Sequence, residues 1–359
     1  MALVLAVFVA WELHGSRGGM VWGSRFGSLR CRCPGWCGPA RSWWRSSSRP
    51  CAAAICTPSA ATAAPPAPGV LGHEQVGRVV AVGPEAPRCL DATPVVPGLR
   101  VVWSVAASCL RCARCRAGMP QKCLHLRKYG HEPWDPGDPL RGGFATHCVL
   151  WPGTAIAAVD ESLPAEVAAP VSCATATVAA VIRAAGPIRE GARALVNGAG
   201  MLGLTAVAML AAAGAEVITV DPHERRREQA LRFGAAEVRP VGSPVGEVDV
   251  ALELSGASGA VQTCLDSLAV GGTAVLAGSV SPGPAVNLDP ERLVRGLHRV
   301  VGVHNYHPDD LRTAVEFITD HHRQRPFAEL VSDARPLTGL DTATSTTHPD
   351  QVPRRAIRP

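Results

Sequence analysis

Residues 192–221, ARALVNGAGMLGLTAVAMLAAAGAEVITVD, restrict the fold of this chain more than any other stretch. A short apolar run, a glycine turn, a helix-length run of small and apolar residues and a second apolar run ending in an acid follow one another without a break. Two strands of this kind joined by a helix pair in parallel, because an antiparallel pair needs only a tight hairpin. Each glycine has its own reason. Gly198 permits the tight turn, Gly200 lets the backbone approach a pyrophosphate, and Gly203 lets the helix pack closely on the strand. The helix starting near Met201 and Leu202 turns free N–H groups and a positive dipole end toward the same point. Asp221 closes the second strand, where a carboxylate can accept from both hydroxyls of a ribose. These positions predict a bound dinucleotide. Asp221 favours NAD, since it would repel a 2′-phosphate, while Arg225, Arg226 and Arg227 stand close by and read equally well as a solvated helix face. Farther on, VDVALELSG and GGTAVLAGS supply two more buried strands around a helix-length segment. The expected class is α/β, with a doubly wound parallel sheet.

A second motif, CLRCARCRAGMPQKC, sets Cys109, Cys112, Cys115 and Cys123 in the spacing C-x2-C-x2-C-x7-C. Two-residue gaps let successive thiolates converge on one ion, and the longer loop returns the fourth to close a tetrahedron, as structural zinc requires. An iron–sulfur cluster is the rival reading, although ferredoxin spacings use a shorter last gap followed by Pro. Disulfides fit less well, because cysteines this close in sequence pair poorly and nothing else demands an oxidising compartment.

The composition breaks near residue 70. Residues 1–68 hold seven Arg and one acid, Glu12, a local charge of +6 against +5 for the whole chain. The remainder is therefore close to neutral and offers no case for nucleic acid or an anionic membrane. Five of the eight tryptophans, Trp11, Trp22, Trp36, Trp43 and Trp44, fall in the same segment. The opening MALVLAVFVAW imitates a signal-peptide core, yet no Lys or Arg precedes it and no cleavage site follows, so the expected location is cytoplasmic. No apolar run reaches the length of a membrane span.

From about Val70 to the C-terminus these parts, in this order, resemble the zinc-containing medium-chain alcohol dehydrogenases. GHEQVGRVVAVG is similar to that family's Gly-His-Glu signature and its following strand, PVSCATATV to the segment carrying a later zinc ligand, and CLRCARCRAGMPQKC to its structural-zinc lobe at every spacing. The resemblance implies a GroES-like β-rich catalytic domain over residues 69–156 and 306–359 and a Rossmann domain over 157–305. It implies that His73 and Cys173 bind a catalytic zinc, with Glu74 beside them as a supporting or alternate ligand. It also implies one structural zinc, NAD as cofactor, an alcohol or carbonyl as substrate, and a homo-oligomer.

One expected ligand has no counterpart. The family places Cys-Gly-Ser/Thr-Asp-x-His about twenty residues before Gly-His-Glu, and no such words occur here. Shifting the reading frame by one base permits Cys-Gly-Ser-Asp-Leu-His-Thr across CAAAICTP at residues 51–58. The same shift permits an alternating strand across RSWWRSSSRPC at residues 41–51. With 33 Arg and two Lys the gene reads as GC-rich, where shifted frames stay open. A frame shift upstream of about Val70 is the expectation, so residues 1–68 form an anomalous segment. In the chain as it stands, Cys51 lies nearest the missing ligand.

Within the family, the wording is most similar to a branch associated with phosphonate catabolism and to cyclitol and polyol dehydrogenases. The expected substrate is a secondary alcohol, polyol or cyclitol, with phosphorylated and phosphonate forms among the candidates. Arg127, Lys128 and His131 are the groups that could meet such an anion, and solvated loop charges are the plainer reading of them. Two other classes compete. A quinone or enone reductase usually lacks the four-cysteine lobe. A non-catalytic descendant would keep the lobe and cofactor turn while losing one zinc ligand.

Overall fold

The computed structural model describes residues 69–84, 87–138, 140–337 and 352–358, together with the backbone of residues 7–10. Cys51 and most of the anomalous segment lie outside these residues.

Two sheets organise the chain. The first is antiparallel and is built from β1 (Val7–Ala10), β2 (Val76–Val82), β3 (Arg100–Ala107), β4 (Arg127–Lys128), β5 (His147–Leu150) and β6 (Thr154–Ala158). Its order is β4-β3-β2-β1-β5, with β6 also pairing β3. The backbone of β1 lies between β2 and β5, Val7 opposite both Val82 and Leu150. Strand pairing of this kind is main-chain chemistry and needs only an extended run of the right length. The inner face carries Val79, Val101, Trp103, Tyr129, Leu150, Trp151 and Ile156, packed as one cluster. Between β3 and β4 lies the cysteine lobe, with a single turn of helix, α1 (Ala113–Arg116).

A short helix, α2 (Ala165–Ala168), a 3-10 turn (Ala169–Ser172) and α3 (Ala174–Ala185) lead out of the first sheet, bending by 51° at Cys173. The second sheet then runs through β7 (Arg193–Asn197), α4 (Met201–Ala212), β8 (Glu216–Val220), α5 (Glu224–Phe233), β9 (Glu237–Arg239), β10 (Val248–Glu253), α6 (Ser258–Asp266), β11 (Leu268–Leu276), α7 (Pro290–Arg295) and β12 (Arg299–Gly302). All its pairs are parallel, in the order β12-β11-β10-β7-β8-β9. The chain therefore winds outward from β7 in one direction and then from β10 in the other. A crevice opens between their carboxyl ends, where ligands bind in sheets of this kind. This is the doubly wound α/β sheet expected from residues 192–279.

Helix α4 explains its own burial. It is apolar around its whole circumference, with Leu204, Ala206, Val207 and Leu210 all fully enclosed, so it sits between sheet and neighbouring helix instead of at the surface. Helix α5 is the opposite, rich in Arg and stopped by Gly234 in the left-handed region at φ 109°. After β12 the chain returns to the first sheet through α8 (Pro308–His321), which packs on α3, β6 and β3. Its first turn is closed reciprocally: Asp309 N–H donates to His307 Nδ1 and His307 N–H donates to Asp310. A last parallel pair, β13 (Arg335–Pro336) and β14 (Ile357–Arg358), ends the chain. One continuous apolar core, including Val76, Val102, Val171, Val178, Leu204, Leu311 and Ile318, joins the two sheets. Among the described residues no single helix is long and apolar enough to cross a membrane.

Candidate active site

The cysteine lobe closes on itself. Cys109 and Cys123 sulfurs stand 3.4 Å apart, Cys112 and Cys115 3.5 Å, and Cys112 and Cys123 3.9 Å. A zinc–sulfur bond of about 2.3 Å gives tetrahedron edges of about 3.8 Å, so this cage has the size and the donor chemistry for zinc. None of the four is in a disulfide. Backbone N–H groups point inward as well. Those of Cys109 and His125 donate to Cys123 Sγ at 3.2 and 3.3 Å. Those of Leu124 and Cys115 hold the Cys112 thiol down to about 6, favouring thiolate. Among the described residues these cysteines are the one group of three or more ligand side chains gathered within 4.8 Å.

The segment carrying His73 and Glu74, just before β2, is tied to the bend carrying Cys173, just before α3. The loop before β2 is pinned by Gly143 N–H to Gly72 O at 2.8 Å and Phe144 N–H to Leu71 O at 2.9 Å. Gly72 is needed there: its φ is 95°, and a Cβ would meet Phe144 N at 3.0 Å. Ser172 ties this loop to the bend before α3. Its Oγ accepts from Gln75 N–H at 3.4 Å and contacts His73 O at 3.3 Å. Tyr306 fixes the same bend from the far side, its hydroxyl accepting from Val105 N–H at 3.0 Å and donating to Ser172 O.

The electrostatics at this point are strongly perturbed. Burial, reinforced by His131, Arg354 and Lys128, holds His73 down to about 3, so its imidazole is neutral with a free lone pair. Burial and the adjoining Glu74 push the Cys173 thiol up. Glu74 is paired with Arg354 at 2.8 and 3.1 Å, and both side chains are nearly enclosed, 3% and 12% exposed. An imidazole nitrogen and a cysteine sulfur are donors that zinc accepts. The described residues thus offer two such donors, with Glu74 engaged by Arg354, and the position expected of Cys51 lies outside them. Arg354 was not legible in the tail that carries it; its partner lies 280 residues away.

The cofactor turn matches its glycines one by one. Gly198 has φ 97°, and a Cβ on it would sit 2.9 Å from the Ser255 side chain. A Cβ on Gly203 would lie 1.7 Å from Gly198 O, so the helix rests directly on the turn. A Cβ built on Gly200 would meet nothing within 4 Å, so that side of the turn is open at the head of α4, where Met201 and Leu202 form the first turn. Asp221 is buried, accepting from Ala199 N–H and His223 N–H at 2.8 Å each. Arg227 is occupied by the carbonyls of Asp221 and Pro222, and Arg226 stands 3.9 Å from the Asp221 carboxylate. Arg225 is exposed.

Comparison with known proteins agrees with this architecture. Residues 50–161 match the alcohol dehydrogenase GroES-like domain, and residues 202–320 match the zinc-binding dehydrogenase family. The first match begins about twenty residues upstream of Val70. A Pseudomonas sp. protein named "Probable alcohol dehydrogenase" is 31% identical over 242 residues, 59% of this chain and 74% of that protein. L-threonine 3-dehydrogenase of Anaeromyxobacter dehalogenans is 32% identical, over 61% of this chain and 62% of the relative's length. The crystal structure of an alcohol dehydrogenase from Thermotoga maritima superposes with a TM-score of 0.72 at 26% identity, covering 77% of this chain and 80% of that one. The chain belongs to the zinc-binding alcohol dehydrogenase family.

Proposed function

We propose that the protein is an NAD-linked, zinc-dependent dehydrogenase acting on a secondary alcohol, polyol or cyclitol, in the direction of either alcohol or carbonyl. The observation carrying this reading is that Ser172, next to Cys173, hydrogen-bonds the backbone of His73 and Gln75, so the segments bearing His73 and Cys173, 100 positions apart, lie side by side. In this reading zinc supplies Lewis acidity at the substrate oxygen and the nicotinamide supplies or accepts the hydride. His73 contributes a neutral imidazole nitrogen, Cys173 a sulfur, and Glu74, held by Arg354, a negative charge beside them. Cys109, Cys112, Cys115 and Cys123 hold a second, structural zinc that shapes the lobe. Gly198, Gly200, Met201, Leu202 and Gly203 cradle the pyrophosphate, and Asp221 selects NAD over NADP by its charge.

We further propose the division into residues 69–156 with 306–359 and residues 157–305, a cytoplasmic homo-oligomer, and kinship with the phosphonate-associated and cyclitol branch. Exposed Val294 in α7, Leu297 in the turn after it and Val300 on the edge strand β12 support self-association over an isolated monomer. Residues 1–68 we propose to be read one base out of frame, which would restore the third zinc ligand in place of Cys51. A second reading has its own support. Among the described residues only the lobe gathers a complete ligand set, as in a non-catalytic family member that keeps its structural metal.

The test is to resequence the gene across the codons for residues 1–75 and assay both chains for alcohol-dependent NAD reduction. Activity appearing only with Cys-Gly-Ser-Asp-Leu-His restored supports the enzyme and the frame shift together. Tight dinucleotide binding without turnover in either chain would favour the non-catalytic reading.

A further inference from the structure

Glu253 ends β10 and is fully buried, yet no cation answers it. Among the described residues no lysine, arginine or histidine nitrogen stands within 4.0 Å of its carboxylate. Other enclosed acids of the fold each have one: Glu74 has Arg354, Asp310 has Arg183, and Asp221 has Arg226 at 3.9 Å. A buried carboxylate without a counterion is costly and persists only where hydrogen-bond donors surround it. Glu253 has them. Its Oε1 accepts from Ser255 N–H at 2.7 Å, Gly256 N–H at 2.6 Å and the Ser255 hydroxyl at 2.9 Å, and its Oε2 accepts from the Ser279 hydroxyl at 3.1 Å.

These donors come from the turns after β10 and after β11, and the glycines show how closely the two turns lie. A Cβ on Gly278 would sit 2.5 Å from Gly256 N, and one on Gly256, at φ 79°, would sit 2.9 Å from Gly278 O. On its other side the β10 turn meets the cofactor turn, where a Cβ on Gly198 would sit 2.9 Å from Ser255 Cβ. Backbone bonds join the same strand ends. Leu254 N–H donates to Asn197 O at 3.0 Å, and Ala277 N–H and Gly278 N–H donate to Glu253 O at 3.0 and 2.9 Å. β11 is also held from outside: Val303 N–H donates to Leu276 O at 2.9 Å, and the next residue, His304, has its Nδ1 2.5 Å from Lys122 Nζ of the cysteine lobe. Ser255, Gly256 and Ser279 are themselves exposed. The turns thus present an accessible surface that rests on a buried carboxylate.

The place of these turns gives the carboxylate a task. A dinucleotide crosses a sheet of this kind where the strand order reverses, here between β7 and β10. In the proposed reading the glycine turn after β7 and Asp221 at the end of β8 hold the pyrophosphate and the adenosine, so the nicotinamide end falls to the β10 and β11 turns. We infer that Glu253 is a positioning residue for the nicotinamide half of the cofactor, fixing the turns after β10 and β11 from beneath in the arrangement that seats it. This rests on the dinucleotide reading; the tie between the turns stands on the hydrogen bonds of Glu253 alone.

The experiment reads binding on the full chain and needs no turnover. Calorimetry measures NAD and, separately, ADP, which carries the adenosine and the phosphates without the nicotinamide end. E253M removes every acceptor at similar volume, E253Q keeps one oxygen for the donors at Oε1, and S279A cuts only the tie to the β11 turn. Losing hydrogen bonds to a charged acceptor should weaken NAD about tenfold to a hundredfold in E253M and leave ADP unchanged. E253Q should keep most of the NAD affinity, and S279A should weaken NAD about threefold, again sparing ADP. Hydrogen exchange without ligand gives a second readout. In E253M the Ser255 and Gly256 amides should exchange faster, while the Gly198 amide, bonded to Val220 O at 2.8 Å, keeps its protection.

A loss confined to NAD supports the inference. Equal losses for NAD and ADP would make Glu253 a general prop of the sheet and overturn it, as would NAD affinity that E253M and S279A leave unchanged. Should E253M not fold, the ratio of NAD to ADP affinity in S279A decides the matter in the same way. An unaltered chain that binds neither ligand would sink the dinucleotide reading itself, and this inference with it.

Discussion

Gly200 and Gly203 stand three residues apart and should fail differently when a methyl group is added. A Cβ at Gly200 meets nothing within 4 Å and its φ is −80°, so G200A should change stability by under about 0.5 kcal/mol. It should nevertheless weaken NAD binding, because the methyl group fills the space a pyrophosphate needs. At Gly203 the new carbon would lie 1.7 Å from Gly198 O, and the turn itself must move. Denaturant melts of G203A should show a loss of about 1–3 kcal/mol or more. Equal NAD affinity in G200A and the unaltered chain would count against the assigned phosphate position. Glu74 offers a third residue-scale prediction. R354M strands a carboxylate whose side chain is 3% exposed, so unfolding should become easier by about 3–5 kcal/mol, with E74Q/R354M recovering part of it. Gly203 could be read from sequence because its reason is local, the carbonyl of Gly198 five residues back. Arg354 could not, since what gives it meaning is an acid 280 positions away.

Helices α3 and α8 meet across the two sheets, and one acid serves both. Asp310 accepts from Arg183 Nε at 2.7 Å and from Arg183 NH2 at 2.9 Å, while its other role is to accept from His307 N–H at the head of α8. D310A removes a cap and an ion pair at once. Arg183 is 60% exposed, so water screens most of the ionic part. The expected cost is about 1–2 kcal/mol, near that of the cap alone, and a larger loss would mean the helix contact itself had opened. At this scale the parallel strands and the lobe were legible, because periodicity and cysteine spacing act within a few residues. β1 was not. Its residues belong to a segment of foreign composition, yet the backbone of Val7–Ala10 takes a place between β2 and β5. Main-chain pairing does not read side-chain meaning, so an apolar run from an anomalous segment can still occupy a strand position.

For the molecule as a whole, metal content separates the competing accounts. The chain as it stands should retain one zinc after dialysis against a moderate chelator, held by the four cysteines, and lose the second. A chain with the upstream frame corrected should retain both. Two firmly held zincs in the uncorrected chain would show that Cys51 or another group completes the site and would remove the need for a frame shift. Apart from its N-terminal amine, the chain offers amine-reactive reagents only Lys122 and Lys128. Acylating agents, aldehyde fixatives and the amine coupling used to fasten proteins to sensor surfaces would act at the N-terminus and at these two side chains. A label on Lys122 would break its 2.5 Å contact with His304, which ties the cysteine lobe to the segment after β12, so a tagged or immobilised sample would carry a loosened lobe for reasons of handling alone.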